Sequence, residues 1–347
     1  MPSSARPQAN SSIGEFSLIR TLRQRYRAST PQLLRGIGDD AAVIAPRRRR
    51  LCLLTTDLLS EGVHFDCRSA GFADIGFRAA AANLSDIAAM GGRPEYLLVS
   101  LAIPPGATAR HVHELYRGMM TACRRYRVKL IGGDTSASRG GWFVNITLTG
   151  SATSGCILFR SGARAGDDLY VTGTLGDSRA GLSLLQRRNR TASARGLAAA
   201  QRQFLIRRHL RPTARIREGM WLSQAAWATS AIDLSDGLSG DLRHLCTESR
   251  VGAVIELSAL PISSACRQYA ESVKEDARTF ALAGGEDYEL LFTVPARKRM
   301  RFHRASAQHR VRATRVGRVT AAEEGLRMML SDGRERALPS IGYEHFR

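Results

Sequence analysis

The sequence predicts two α/β domains built on mixed sheets, the second richer in helix, an α+β arrangement in the broad sense. Three observations predict it. The chain has 347 residues, more than a single core of ordinary size requires. Apolar runs of strand length alternate with longer Ala- and Leu-rich segments of helical period. This alternation pauses at a Gly/Ser-rich stretch near residue 155 and then begins again. The expected division is a disordered leader over 1–12, an N-terminal domain over 13–155 and a C-terminal α/β domain over 156–347.

In the first half, residues 40–45 and 51–55 read as short strands, the second a nearly continuous apolar run that ends in polar residues. Residues 74–90 put Ile75, Ala79, Ala82 and Ile87 on one helical face and stop at Gly91-Gly92, a glycine helix terminus. Residues 96–103 predict a strand that Pro104-Pro105 ends. A helix over 108–126, a strand over 129–131 and an alternating strand over 143–150 follow. In the second half, 168–172, 230–233, 251–257 and 290–294 predict strands. Residues 176–185, 216–226 and 238–249 predict helices, and the Arg-rich stretch 187–198 a surface excursion.

Composition narrows the class. A hydrophobic content of 44% and a charged content of 24% are those of a soluble globular protein. The longer apolar stretches are too short to span a bilayer, so no membrane is expected as partner. Residues 1–12 are polar and have no apolar core of a secretory signal. Cys52, Cys67, Cys123, Cys156, Cys246 and Cys266 form no C-x-x-C pair, which points to free thiols in a reducing cytoplasm. The net charge of +20 raises nucleic-acid binding. Yet 48 of the 51 basic residues are arginine, and they are spread along the chain apart from the run 47–50. That is coding bias rather than a binding face, and no nucleic acid is expected.

The chemistry concentrates in carboxylates set among Gly, Ser and Thr. They occur in Gly36-Ile37-Gly38-Asp39-Asp40, Thr55-Thr56-Asp57, Asn83-Leu84-Ser85-Asp86, Gly132-Gly133-Asp134-Thr135, Asp233-Leu234-Ser235-Asp236-Gly237 and Gly284-Gly285-Glu286-Asp287. One such motif alone reads as a turn or a helix cap. Six of one type, each beside an apolar strand or helix, read as carboxylates gathered into a cleft. There they need cations, and magnesium suits oxygen ligands shared with phosphates. No G-x-x-x-x-G-K-[ST], H-R-D, D-F-G, G-x-S-x-G or H-E-x-x-H is present, so any use of ATP rests on a different fold.

These motifs, taken in order with Arg160-Ser161-Gly162-Ala163-Arg164-Ala165-Gly166-Asp167, resemble those of the thiamine-monophosphate kinases. Gly14-Glu15-Phe16 and Gly342-Tyr343-Glu344-His345-Phe346 match at the two ends, so the resemblance covers essentially residues 13–347. The single motifs are shared with aminoimidazole ribonucleotide synthetases and selenophosphate synthetases; His64 and the terminal Gly-Tyr-x-x-Phe make the combination specific. The resemblance implies an aminoimidazole ribonucleotide synthetase-like fold whose N-terminal sheet pairs with its mate in a homodimer, forming a barrel. It implies transfer of the γ-phosphoryl group of ATP onto thiamine monophosphate; because a phosphate acceptor needs no general base, direct in-line transfer with no phosphoenzyme is expected, assisted by several Mg²⁺ ions held by the aspartates.

By motif position, the resemblance makes Asp40, Thr55, Thr56, Asp57, Asp86, Asp134, Asp233 and Asp236 the metal ligands, with Asp57, Asp134 and Asp236 central to catalysis. Gly133, Asp134, Arg160, Ser235 and Tyr116 would contact ATP, and His64, Glu286 and Tyr343 the thiamine phosphate. Taken alone, His64 reads as a structural histidine and Tyr343 as a core aromatic. Two other readings stand beside this one: an ATP-using relative with a different acceptor, and an arginine-rich nucleic-acid-binding protein. Selenophosphate synthetase is disfavoured because no cysteine precedes Cys52.

Overall fold

The computed structural model describes residues 21–22, 24–26, 30–35, 43–44, 50–186 and 196–342. The expected Asp40 and Tyr343 sites lie outside these residues, as do the leader over 1–12 and most of the stretch 187–198. Of the expected strand over 40–45, Val43–Ile44 (β2) is described, paired with Leu33–Arg35 (β1).

The first large sheet has four strands: Arg50–Ser60 (β3), Arg93–Ile103 (β4), Lys129–Ala137 (β5) and Phe143–Thr153 (β6), in the order β3-β6-β4-β5. Only β4 and β5 run parallel. Two strands outrun their sequence pattern. β3 continues past Thr55 because β6 pairs with it residue by residue from Arg50 to Ser60. β5 continues through Gly132-Gly133-Asp134-Thr135 because β4 offers a ladder as far as Ile103. Asp57 and Asp134 therefore stand inside strands rather than beyond their ends. Backbone pairing has overridden the weak strand preference of Gly and Asp.

Helix Phe72–Ala89 (α1) and helix Ala109–Arg124 (α2) cover one face of this sheet. Thirteen of the 18 residues of α1 are buried, which its alanines and glycines permit. A side chain at Gly76 would place its Cβ 2.0 Å from the Leu115 carbonyl oxygen on α2. One at Gly118 would come within 1.8 Å of the Ala73 carbonyl on α1, so the two backbones meet through reciprocal glycines. A third glycine, Gly219, lets helix Ile216–Gln224 (α5) approach Ala88 from the other side. α1 ends as its sequence predicts: Gly91 turns to φ +68° and donates to the Ala88 carbonyl, and Gly92 donates to that of Ile87.

The second sheet has seven strands: Asp167–Thr172 (β7), Ser230–Asp233 (β8), Gly252–Glu256 (β9), Leu290–Pro295 (β10), Ala313–Thr320 (β11), Leu326–Met329 (β12) and Glu335–Ala337 (β13). Their order is β13-β12-β9-β11-β7-β10-β8, with β9 and β12 parallel and the other pairs antiparallel. Every residue of β7 and β10 is buried. Tyr170, Phe292 and Val294 face the core shared with α1, while Leu169, Val171 and Leu291 face a second core. That second core is roofed by Asp177–Gln186 (α3), Ala199–Leu210 (α4), Leu238–Ser249 (α6), Ser264–Ser272 (α7) and Ala277–Ala283 (α8). Helix Arg299–Gln308 (α9) packs Phe302 onto the first core instead.

Helices α4, α7, α8 and α9 and strands β11–β13 do not stand out in the sequence, because charged and polar residues blur their periods. Among the described residues no helix is long and apolar enough to cross a membrane.

Candidate active site

The motif carboxylates meet where α1, β3 and the end of β8 come together. α1 carries Asn83, Leu84, Ser85 and Asp86, all buried except the half-buried Asp86. Asp57 projects from β3 on the face that α1 covers, and the Thr55 hydroxyl on that face hydrogen-bonds the Asp86 carboxylate. Asp233 ends β8, 5% exposed, and accepts a 2.8 Å hydrogen bond from Ser85 Oγ.

These three carboxyls perturb one another. Burial, then the charge of Asp86, pushes Asp57 up to about 7. Burial, then Asp86, does the same to Asp233, while Ser85 and Arg160 oppose the rise. Asp86 is itself raised by burial, against the hydrogen bond from Thr55 and the charge of Arg160. Arg160 thus lies close enough to act on two of the three. Its loop is anchored by Ser249, whose hydroxyl donates to the Arg160 carbonyl at 2.9 Å.

Beyond β8 the chain turns through Leu234-Ser235-Asp236-Gly237 into α6. Gly237 takes φ +110°, and its amide and that of Asp236 both donate to Asp241 Oδ2 at 3.1 Å. Asp241 sits in the first turn of α6 and clamps the loop that presents Asp236. Opposite runs the Gly284–Tyr288 segment. The Glu286 amide donates to the Ser235 carbonyl at 2.8 Å, and the Tyr288 amide to that of Leu234 at 2.9 Å. Glu286 and Tyr288 hold φ +64° and +52°, a left-handed conformation that costs side-chain-bearing residues and concentrates at functional sites.

Asp57, Ser235, Asp236, His64, Glu286 and Tyr288 line one cleft of about 1720 Å³. A pocket for one small molecule holds roughly 300–1,000 Å³, so this cleft has room for two. His64 sits on the turn after β3, its Nδ1 accepting from the Ser60 amide at 3.0 Å. Burial, opposed by Arg78, raises the Glu286 carboxyl above its usual value.

Four expected residues stand apart. Register places Asp134 beside Ser100, Ser100 beside Asn145 and Asn145 beside Leu58. Asp134 therefore lies on the opposite face of the sheet from Asp57, and three strand spacings of about 4.8 Å separate their rows. Thr56 shares that opposite face, donating to Asn145 Oδ1 at 2.9 Å. Gly133 is fixed by packing, since an added Cβ would lie 1.9 Å from the Val99 carbonyl oxygen. Tyr116 is 3% exposed in the N-terminal core, stacked on Tyr26 at 5.9 Å and absent from the cleft lining. Its helical spacing with Val112, Met119 and Met120 marks it as a core side chain.

Sequence reasoning passed over Ser85, Arg78, Asp241, His209 and Tyr288. Ser85 fell inside a motif and Tyr288 directly after one; for the others no local pattern distinguishes a site support from an ordinary polar residue.

Among the described residues no group of three or more His, Cys, Asp or Glu is set to hold a metal ion by itself. Magnesium takes one or two carboxylates per ion and completes its shell with water and substrate phosphates. Buried carboxyls that raise one another's pKa demand either protons or cations. The Asp57, Asp86, Asp233 and Asp236 set fits that role.

Residues 38–152 match the AIR synthase related protein N-terminal domain, and residues 164–328 the corresponding C-terminal domain. The chain is 41% identical to the thiamine-monophosphate kinase of Escherichia coli (strain K12) over 333 residues, 96% of this chain and 98% of that one. It superposes on the crystal structure of thiamine-monophosphate kinase from Stenotrophomonas maltophilia K279a with a TM-score of 0.79 and 37% identity, covering 93% and 98% of the two chains. A structure described as AaThiL complexed with AMPPCP and TMP aligns with a TM-score of 0.75 and 35% identity over 99% of each chain. With Asp57 and Asp236 lining one cleft, Asp86 and Asp233 close to Asp57, and this likeness running nearly end to end, the chain belongs to the thiamine-monophosphate kinases, within the AIR synthase related proteins.

Proposed function

We propose that this protein transfers the γ-phosphoryl group of ATP to thiamine monophosphate, making thiamine diphosphate and ADP. The observation that carries the reading is the meeting of Asp57, Asp86 and Asp233, all raised chiefly by burial and the first and last also by the charge of Asp86, beside a cleft with room for two substrates. A relative held with AMPPCP and TMP together supports the same pairing of substrates.

The acceptor is a phosphate monoester, mostly dianionic at neutral pH because its second pKa is about 6. It is a nucleophile already, so the chain need supply no general base. The barrier is the repulsion of two polyanions brought into line, which positioning and electrostatic stabilisation lower. Asp57, Asp86, Asp233 and Asp236 would hold Mg²⁺, which when bound screens the phosphates and offsets the charge that spreads in the transition state. Arg160, beside Asp86 and Asp233, is placed to reach a phosphate with charge-assisted bonds. His64, Glu286 and Tyr343 are the residues that would bind the thiamine phosphate.

We further propose a homodimer closed by the four-stranded sheets. The face of the sheet turned away from α1 exposes Leu54 and Leu58 on an edge strand, 71% and 53% accessible. A second copy is the partner whose own Leu54 and Leu58 match that surface, and Asp134 and Thr56 would then lie inside the closed barrel. The division near residue 155 falls in the stretch between the two sheets. The six cysteines are free thiols, in keeping with the cytoplasm.

Coupled ADP release tests the activity. Release with thiamine phosphate and ATP, and none with free thiamine, is expected; release with free thiamine alone, or with neither, contradicts it.

A further inference from the structure

Arg78 stands in the middle of α1 among alanines and is 4% exposed. A buried guanidinium is costly unless its donors are met by acceptors of fixed position. Here they span the two halves of the molecule. One amino group hydrogen-bonds both the His64 backbone carbonyl and the Glu286 carboxylate. The other lies 3.2 Å from His209 Nε2 on α4. His209 Nδ1 lies 3.1 Å from Ser178 Oγ and 3.4 Å from Glu286 Oε2.

The proton on His209 follows from these contacts. Arginine can only donate, so Nε2 accepts and the ring hydrogen sits on Nδ1, facing Ser178 and Glu286. Burial and then the charge of Arg78 push the imidazole down to about 3, so it is neutral and its contact with Glu286 is no ion pair. Arg78 therefore grips one carboxylate oxygen of Glu286, while His209 gives its Nδ1 hydrogen to Ser178 Oγ and packs 3.4 Å from the other oxygen. Glu286 is held this way at φ +64°, a left-handed conformation that is costly for a residue with a side chain.

We propose that Arg78 is a positioning residue for the thiamine phosphate end of the cleft, setting the turn that carries His64 and the carboxylate of Glu286 in one geometry, with His209 as its relay. This inference rests on the reading of His64 and Glu286 as thiamine phosphate contacts. It assigns neither Arg78 nor His209 a part in the phosphoryl transfer.

Steady-state kinetics of Arg78→Met, Arg78→Lys and the unaltered protein test it. Arg78→Met should raise the KM for thiamine phosphate roughly tenfold, the loss of one charge-assisted hydrogen bond, and leave the KM for ATP within about twofold. Arg78→Lys, which keeps a cation facing Glu286, should recover most of that loss. Should Arg78→Met not fold, His209→Asn carries the test, with a rise of about threefold for thiamine phosphate and none for ATP. Equal changes in both KM values, or none in a folded variant, overturn the positioning role. Absence of turnover in the unaltered protein would instead sink the proposed function, so the two failures are told apart.

Discussion

Ser85 on α1 donates to the carboxylate of Asp233 at the end of β8, 2.8 Å away and across 148 residues of sequence. The bond joins the N-terminal half to the C-terminal half at the acidic cluster, with Ser85 fully buried. Ser85→Ala leaves Asp233 short of a donor and free to turn. Catalytic efficiency should fall on the order of tenfold, with little loss of melting temperature. Unchanged kinetics would show that the bond does not orient Asp233.

Asp57 and Asp236 lie on different elements but line one cleft. Replacing either by Ala should lower turnover by at least about a thousandfold, as expected when electrostatic stabilisation is removed, in protein that stays folded by circular dichroism. Full activity in one variant would remove that residue from the site.

The reciprocal glycines between α1 and α2 make a stability prediction. Gly118→Ala forces a Cβ to within 1.8 Å of the Ala73 carbonyl, so α2 must back away from α1. A loss of about 1–3 kcal/mol in denaturant unfolding is expected. Gly106→Ala, at an open turn with no atom within 4 Å of the added Cβ, should cost less through its φ of +79° alone.

Much of this frame is legible before folding. The Ala-rich pattern and Gly91-Gly92 stop announce α1, and its buried face follows from them. The clustering of carboxylates is foreshadowed by their shared setting of Gly, Ser and Thr. What the sequence hides is depth and direction. Asp57 and Asp134 carry the same local signature, yet strand register puts them on opposite faces of one sheet. Tyr116 resembles a site aromatic by position but is drawn inward by the apolar face of α2. Arg78 is indistinguishable from the other arginines until Glu286, 208 residues away, folds against it.

Stability against pH follows from the buried carboxyls. Asp57, Asp233 and Asp287 are each pushed up to about 7, chiefly by burial. Their folded forms bind protons more tightly than the unfolded chain, so this stability is complete below about pH 4 and lost as pH rises through 7. Glu289 and Asp168 act in reverse. Burial pushes both up, but Arg215 and Arg208 outweigh it at Glu289, and Arg299 and Arg315 at Asp168, holding both below the usual range. Their stability is present above the unfolded values and lost as pH falls through the folded ones. Melting temperature without divalent ions should therefore peak at about pH 5 and decline towards pH 8, and Mg²⁺ should raise it more at about pH 8 than at pH 5. A flat profile would contradict this.

Leu54, 71% exposed on the edge strand β3, bears on assembly. If the proposed dimer forms, the parent should sediment as a dimer and Leu54→Arg as a monomer, because a charge cannot be buried unpaired at a sheet junction. A monomeric parent, or a variant as dimeric as the parent, would remove this face from the interface.

In the proposed mechanism, acidic side chains far apart in sequence hold cations between two phosphates. Crystals grown with Mn²⁺, a non-hydrolysable ATP analogue and thiamine phosphate test it through anomalous scattering. Peaks bounded by Asp57, Asp86, Asp233 and Asp236, with the two phosphates facing each other across them, are the predicted result. Both phosphates bound in the cleft with no anomalous peak at those four carboxylates would contradict it.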